Sequence, residues 1–178
     1  MTAKRQNLSQ TALCAILIAL STVLGMIKLF HLPYGGSITL LSMLAATLCG
    51  YFCGTAKGII ACTALGLLNF ILGPTIIHPA QVFLDYFLAF GLMGLSGITA
   101  DKKHGLITGY IIGITGRFFC SFLSGFIFFA EYAPDNMNVI WYSFLYNITY
   151  IGIEGIITII ILDIPTVKNS LEKLKISI

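Results

Sequence analysis

Three ionisable side chains interrupt long apolar runs of this sequence, namely Asp85, Arg117 and Glu154. A charged group near the centre of a bilayer costs several kcal/mol and normally faces a cavity or a partner. Each is therefore a candidate for a ligand site or for one half of an internal ion pair. The purely structural alternative is a salt bridge between Asp85 and Arg117.

Asp85 has two polar neighbours that point to ligand binding. It lies about two turns after Pro79, roughly 9 Å below the start of its helix at 1.5 Å per residue. Gln81 lies one turn earlier on the same face, and Tyr86 is adjacent to Asp85. A carboxylate, an amide and a phenol near one helix end suit a cationic or amine-bearing ligand.

The fifth apolar run places Arg117, Ser121, Gly125 and Phe129 on one helix face, because they follow at four-residue intervals. Phe129 at one end of this face can stack over a cation, and Arg117 at the other end can brace the bundle. Ordinary packing is the alternative for Phe129.

Two polar stripes run along the last apolar segment. Asn147, Tyr150 and Glu154 line one stripe, and Tyr142, Tyr146 and Tyr150 line the other. A helix facing only lipid has little use for Asn and Glu, so the first stripe indicates an internal polar surface. Tyr142 also suits the aromatic belt at a membrane surface.

Catalytic and metal-binding patterns are lacking in the sequence. It contains no H-E-x-x-H, no G-x-S-x-G and no glycine-rich phosphate loop. Cys49 and Cys53 have helical spacing, but no further Cys or His nearby completes a metal set. We therefore expect no catalytic residue, metal or cofactor, and we interpret the five cysteines as small packing residues.

The composition indicates which elements must position these residues. Hydrophobic residues form 57% of the 178 positions and charged residues only 10%, against about a quarter in soluble domains. Runs of about 17–25 apolar residues predict transmembrane helices. We expect an all-α polytopic membrane protein, one domain over 1–178, with a bundle of six helices over Leu8–Leu29, Ile38–Ala56, Gly58–Ile77, Ala80–Ala100, Gly105–Ala130 and Val139–Ile164.

The basic residues indicate the orientation of these helices. With both termini in the cytoplasm, the inner side carries Lys4, Arg5, Lys57, Lys102, Lys103, Lys168, Lys173 and Lys175. Lys28 alone falls in an outer loop, as the positive-inside rule requires. Topology accounts for these charges, so we expect no nucleic-acid binding.

Small residues recur at helical spacing on two helices, Ala12, Ala15 and Ala19 on the first and Gly105, Gly109 and Gly113 on the fifth. Such stripes let helix backbones approach closely in lipid. We interpret the glycines as packing within this chain. For the alanines, docking onto a partner membrane protein is the alternative.

Several stretches together resemble one family over nearly the whole chain. They are PYGGSITLLSML at 33–44, HPAQVFLDYFLAF at 78–90, GFIFFAEYAP at 125–134 and YSFLYN at 142–147, followed by Glu154. In this order they resemble the thiamine-specific S components, the substrate-binding membrane subunits, of energy-coupling factor transporters.

The resemblance implies a fold, a location and partners. Its members are six-helix bundles of the prokaryotic plasma membrane with a thiamine pocket near the outer surface. They work with a membrane-coupling T subunit and two cytoplasmic ATPases, and bind no ATP themselves. Small residues of the first helix dock the coupling subunit in that family, which implies this role for Ala12, Ala15 and Ala19.

The resemblance also implies ligand contacts. Asp85 takes the position of the acidic residue that reads the aminopyrimidine, and Tyr86 packs beside it. Phe129 falls where an aromatic side chain stacks on the ligand, while Tyr142 and Asn147 match contacts from the last helix. Together with Gln81 and Ser121, these form the predicted binding set.

This sequence departs from the family pattern at three positions. Ser121 stands where many members have His, Thr75 stands near where a Tyr would help close the pocket, and Gly36 replaces a Trp of some members. A thiamine precursor or another vitamin is therefore an alternative cargo. A membrane enzyme using Asp85 and Glu154, or a structural subunit without a ligand, are the remaining alternatives.

Overall fold

The structure is a computed structural model that describes residues 3–32, 36–73 and 75–177. Two parts of the sequence interpretation lie outside it. The motif residues 33–35 and residue 74 fall outside the described ranges, and the side chains of Lys4 and Arg5 are not described.

Seven helices, one short 3₁₀ turn (Ala130–Tyr132) and one small hairpin make up the described chain. Five helices are long and apolar enough to cross a membrane, and a sixth apolar helix is shorter. This confirms the predicted all-α polytopic membrane fold. The elements are α1 (Ala3–Met26), β1 (Lys28–His31), β2 (Ser37–Thr39), α2 (Ser42–Cys53), α3 (Thr55–Leu72), α4 (Pro79–Thr99), α5 (Gly105–Phe128), α6 (Val139–Asp163) and α7 (Pro165–Ser177).

The second predicted helix, Ile38–Ala56, is wrong at its start. The observed α2 has 12 residues, or about 18 Å of helix against a hydrocarbon core of about 30 Å. Leu41 adopts a left-handed conformation (φ 59°, ψ 29°) that ends any earlier helix. Residues before it instead form β2, which pairs antiparallel with β1.

Other boundaries follow local chemistry. The third predicted helix, Gly58–Ile77, extends too far, since α3 ends at Leu72. The next helix starts at Pro79, where the His78 ring nitrogen accepts a hydrogen bond from the Ala80 amide at 3.1 Å. Proline has no amide hydrogen, so it suits this first helical position.

Adjacent helices run antiparallel, and this defines two ends of the bundle. Ser21 of α1 donates to the Ser42 carbonyl oxygen at the start of α2, at 2.8 Å. Lys57 at the start of α3 donates to Asn7 near the start of α1, at 2.7 Å. We call the end with β1 and β2 the hairpin end and the opposite end, where α1 starts, the α7 end.

Glycines bring α2, α3, α4 and α5 into backbone contact near the α7 end. A Cβ atom on Gly58 would lie 2.5 Å from the Gly50 Cα. We call this group the glycine seam and define it as Gly50, Gly58, Gly94, Gly97 and Gly109. Such contacts are how helices pack in lipid.

The predicted glycine stripe of the fifth helix belongs to the same packing. Cβ atoms on Gly105, Gly109 and Gly113 would each meet a carbonyl oxygen of α4. The prediction that these glycines pack within the chain is therefore confirmed. All five cysteines are buried and free of disulfides, which agrees with a packing role.

Candidate functional site

A cavity of about 720 Å³ lies at the hairpin end, within the range typical of small-molecule sites. Residues from all of α1 to α6 and from the hairpin surround it. The predicted ligand-binding residues all line it, as do both other intramembrane charges. These residues are Gln81, Asp85, Tyr86, Ser121, Phe129, Tyr142 and Asn147, with Arg117 and Glu154.

Two of the cavity walls contain π-helical segments. Helix α4 is π-helical over Phe83–Leu88, and α6 is π-helical over Ile148–Gly152. Asp85, Tyr86 and Tyr150 lie in these segments. Such wide turns occur often at functional sites, because they change which side chains face inward.

Gln81 orients the carboxylate of Asp85. The Gln81 Nε2 donates to Asp85 Oδ2 at 2.7 Å, and the Gln81 Oε1 accepts from the Ile77 amide at 3.2 Å. Gln81 is almost fully buried. It therefore fixes Asp85 relative to the loop before α4, a positioning role that complements the predicted ligand contact.

Arg117 packs against an aromatic ring in the cavity. Its guanidinium carbon lies 4.5 Å from the centroid of the Phe90 ring, a cation–π geometry. Among the side chains that the structure describes, the single ion pair joins Lys175 to Asp101. The alternative of a salt bridge between Asp85 and Arg117 is therefore wrong.

Aromatic rings line the side of the cavity formed by α5 and α6. Phe129 follows the last residue of α5, with its ring centroid 5.8 Å from that of Tyr132. Along α6, the Tyr142 and Tyr146 centroids are 6.2 Å apart, and those of Tyr146 and Tyr150 are 5.6 Å apart. These rings offer faces to a planar cationic ligand.

Asn147 is buried and bound by its neighbours. Its Nδ2 donates to the Ser143 carbonyl oxygen at 2.9 Å and to that of Ser121 at 3.2 Å. The Tyr150 hydroxyl donates to Asn147 Oδ1 at 3.2 Å. Asn147 thus joins α6 to α5 and holds two cavity residues, Ser121 and Tyr150.

Tyr86 connects the cavity to the loop between α3 and α4. Its hydroxyl oxygen accepts from the Thr75 amide at 2.9 Å, and its ring packs edge-on against Phe70 at 5.2 Å. Thr75 also lines the cavity. The loop around Thr75, where this sequence has no pocket-closing Tyr, is therefore held to α4 by the hydrogen bond with Tyr86.

Sequence reasoning missed part of the lining. The hairpin itself was not predicted, because its residues were assigned to a loop and a helix, although a polar, turn-rich loop such as His31–Ser37 can cap a pocket. Asn69, a lone amide in an apolar run, was a signal that could have been used. The missed lining residues include Lys28, Ser37, Thr39, Asn69, Phe90 and Tyr132.

Comparison with known proteins identifies the family. Residues 11–174 match the sequence model of the thiamine transporter protein family (Thia_YuaJ). This chain belongs to that family. The predicted resemblance is thereby confirmed, and so is the expectation of a transporter and not an enzyme.

Individual family members cover most of the chain. The thiamine transporter ThiT of Bacillus subtilis (strain 168) is 30% identical over 164 residues, covering 83% of this chain and 85% of its own length. ThiT of Lacticaseibacillus paracasei is 29% identical over 116 residues, covering 56% and 58%. A solved structure of ThiT from Listeria monocytogenes, 26% identical, covers 90% of this chain and 97% of its own, with a TM-score of 0.73.

Proposed function

We propose that this chain is the substrate-capture subunit of an energy-coupling-factor-type ABC transporter and binds extracellular thiamine for uptake. The observation that carries this proposal is the cavity that combines the Asp85 carboxylate with aromatic rings. Thiamine has a permanently cationic thiazolium ring and an aminopyrimidine with hydrogen-bond donors. The family membership, and relatives named thiamine transporters, support this cargo.

Asp85 and Phe129 supply complementary parts of the binding energy. The Asp85 carboxylate accepts from the aminopyrimidine, a charge-assisted contact stronger than a neutral one. Phe129 stacks on the thiazolium, and Tyr142 closes the same side from α6. Gln81 and Asn147 keep these groups in place through their contacts with the protein.

The alanine face of α1 is where we place the coupling subunit. Ala12, Ala15 and Ala19 are exposed, whereas Cys14 and Leu17 on the opposite face are buried in the bundle. Small exposed side chains allow close approach of another membrane helix. We propose that the T subunit docks here and that two cytoplasmic ATPases drive a rigid-body reorientation.

The proposed orientation places both termini in the cytoplasm of a prokaryotic cell. Lys57 lies in the first turn of α3, and Lys102 and Lys103 lie between α4 and α5, all at the α7 end, whereas Lys28 lies at the hairpin end. This charge asymmetry favours the α7 end as the inner side. The cavity then opens toward the extracellular medium, as a capture subunit requires.

Thiamine binding to the purified protein in detergent tests the proposal. Trp141, the only tryptophan, precedes the cavity residue Tyr142, so its fluorescence should change as thiamine binds. We expect saturable binding that is lost in Asp85→Ala, and calorimetry should report the same affinity. Absence of binding by folded protein would reject thiamine, and a panel of pyrimidine and thiazole fragments would then identify the cargo class.

Docking is tested separately by Ala15→Trp. A large side chain on the exposed face should abolish uptake in cells that supply the partner subunits, while thiamine binding by the purified subunit stays unchanged. Leu20→Trp, a neighbouring exposed position outside the alanine stripe, is the matched control. Equal uptake by both variants would contradict docking through these alanines.

A further inference from the structure

Glu154 is the most completely hydrogen-bonded ionisable side chain of the described cavity lining. It lies on α6 just after the π-helical segment and is 3% exposed. Its carboxylate accepts four hydrogen bonds, all from the region between β2 and the first turn of α2. The donors are the Thr39 amide at 3.0 Å, the Thr39 hydroxyl at 2.6 Å, the Ser42 hydroxyl at 3.3 Å and the Met43 amide at 3.1 Å.

One carboxylate oxygen caps a helix that has no local cap. Leu41, the residue before α2, offers no side-chain hydrogen bond to the first turn. Glu154 Oε1 accepts instead from the Met43 amide and the Ser42 hydroxyl. Helix N-termini have unpaired amides and favour negative charge, so this arrangement stabilises both partners.

The other oxygen attaches the hairpin to α6. Glu154 Oε2 accepts from both the amide and the hydroxyl of Thr39 in β2. A second contact lies nearby, where Gly36 packs against the Tyr150 ring. Gly36 has a positive φ of 75°, and a Cβ atom there would lie 3.1 Å from the ring. The hairpin therefore rests on α6 at two points.

We propose that Glu154 is a positioning residue for ligand binding. It holds β2 and the first turn of α2 against α6, and so fixes the wall of the cavity that the hairpin supplies. Lys28, Gly36, Ser37 and Thr39 of this wall line the cavity. This inference rests on the proposed function for its ligand, but the attachment of the hairpin can be measured without one.

A carboxylate is required because each oxygen faces a backbone amide. In Glu154→Gln the side-chain NH₂ must oppose the amide of either Thr39 or Met43, whichever way it turns. A donor facing a donor leaves both groups unpaired in a buried site. The variant keeps the size of the side chain, so loss of packing does not contribute to its effect.

Hydrogen exchange of the full-length protein, in detergent and without ligand, tests the attachment. We expect amides of residues 37–43 to exchange roughly 10- to 100-fold faster in Glu154→Gln, the range for a lost charge-assisted hydrogen bond. Thr158→Val is the matched control, since Thr158 is buried one turn away on α6 and bonds the Glu154 carbonyl, not its carboxylate. Unchanged exchange over 37–43, or equal acceleration across all helices, would overturn the proposal.

Thiamine dissociation tests the consequence for binding. We expect the dissociation rate to rise about tenfold in Glu154→Gln and to stay at the wild-type value in Thr158→Val. If Glu154→Gln does not fold, Thr39→Val removes only the hydroxyl contact and should change exchange and dissociation in the same direction. A wild-type dissociation rate with a loosened hairpin would overturn the positioning role.

The two proposals fail in different ways. If wild-type protein binds no thiamine, the proposed cargo is rejected, while the exchange comparison still decides whether Glu154 holds the hairpin. If thiamine binds and Glu154→Gln changes neither measurement, the cargo stands and the positioning role is rejected.

Discussion

The two ends of the bundle are built from opposite kinds of residue. At the α7 end, the glycine seam brings the backbones of α2, α3, α4 and α5 into contact. At the hairpin end, long polar and aromatic side chains surround a cavity of about 720 Å³. The seam holds the scaffold together, and the cavity provides the chemistry.

The difference shows how a membrane protein can carry buried charge at one end. Asp85 and Glu154 each accept hydrogen bonds from the protein, from Gln81 in one case and from Thr39 and the start of α2 in the other. Polar groups in lipid are tolerated where such partners exist.

The largest effect should come from Gly58→Val in the seam. The added Cβ atom would lie 2.5 Å from the Gly50 Cα, and a backbone cannot move aside as a flexible side chain can. We expect destabilisation of more than about 3 kcal/mol and loss of the monodisperse folded protein. Size-exclusion chromatography and thermal unfolding in detergent measure this.

Gly25→Ala is the control for that substitution. A Cβ atom at Gly25 would meet the Ser42 Cβ at 3.8 Å, an ordinary contact. Alanine is also the better helix former, by roughly 0.5–1 kcal/mol. The folded yield should therefore be unchanged or higher, and equal losses in both variants would show that the seam has no special role.

The second-largest effect should come from Asn147→Ala in the cavity. The variant leaves the Tyr150 hydroxyl and the Ser121 carbonyl oxygen without this partner. Unpaired buried groups cost about 1–3 kcal/mol where they stay in place, so we expect Tyr150 and this contact between α6 and α5 to shift and disturb the cavity wall. Thiamine affinity should then fall roughly 30-fold, the equivalent of about 2 kcal/mol. Calorimetry measures it, with Thr149→Val as the control because Thr149 bonds only a neighbouring carbonyl of α6.

Much of the fold follows from the sequence, because long apolar runs have few alternatives in a bilayer. The predicted spans Ala80–Ala100, Gly105–Ala130 and Val139–Ile164 each match their observed helix within two residues. The start of α2 was not predictable from local pattern. It depends on the turn at Leu41 and on Glu154, which is distant in sequence.

The residues of the site were predictable only where helical spacing determines which side chains share a face. Asp85, Phe129 and Asn147 were identified from ionisable or aromatic residues in apolar runs and from family resemblance, and all line one cavity. The contact of Gln81 with Asp85 follows from the same spacing, because the two residues are one helical turn apart. That Lys28 reaches the cavity depends on hairpin geometry, which residue spacing does not encode.

A smaller effect is expected from Phe129→Ala at the end of α5. Loss of one stacking ring over a cation should weaken thiamine binding about tenfold, in the range of a partly desolvated cation–π contact. Phe126→Ala, an exposed ring on the same helix, should bind as wild type does. Phe129→Tyr should restore most of the affinity. Equal affinity in both alanine variants would show that Phe129 packs without touching the ligand.

The smallest effect concerns the attachment of α7 at the opposite end. Lys175 donates to Asp101 Oδ1 at 2.8 Å and to the Ala100 carbonyl oxygen, and lies over the Tyr51 ring at 4.8 Å. Lys175→Met removes all three contacts and should speed hydrogen exchange over residues 165–177. Asp101→Asn removes only the exposed ion pair and should change little, because exposed pairs contribute little to stability.

The pH dependence of hydrogen exchange in α7 separates the ion pair with Asp101 from the other contacts of Lys175. The hydrogen bond and charge of Lys175 lower the pKa of the Asp101 carboxyl below its usual value. A lowered folded-state pKa stabilises the attachment above the unfolded value of about 3.9, and this contribution is lost as pH falls through the folded value. The small difference in α7 exchange between wild type and Asp101→Asn, corrected for the intrinsic rate, should disappear only below about pH 4. Convergence near pH 6 would mean that another group holds α7.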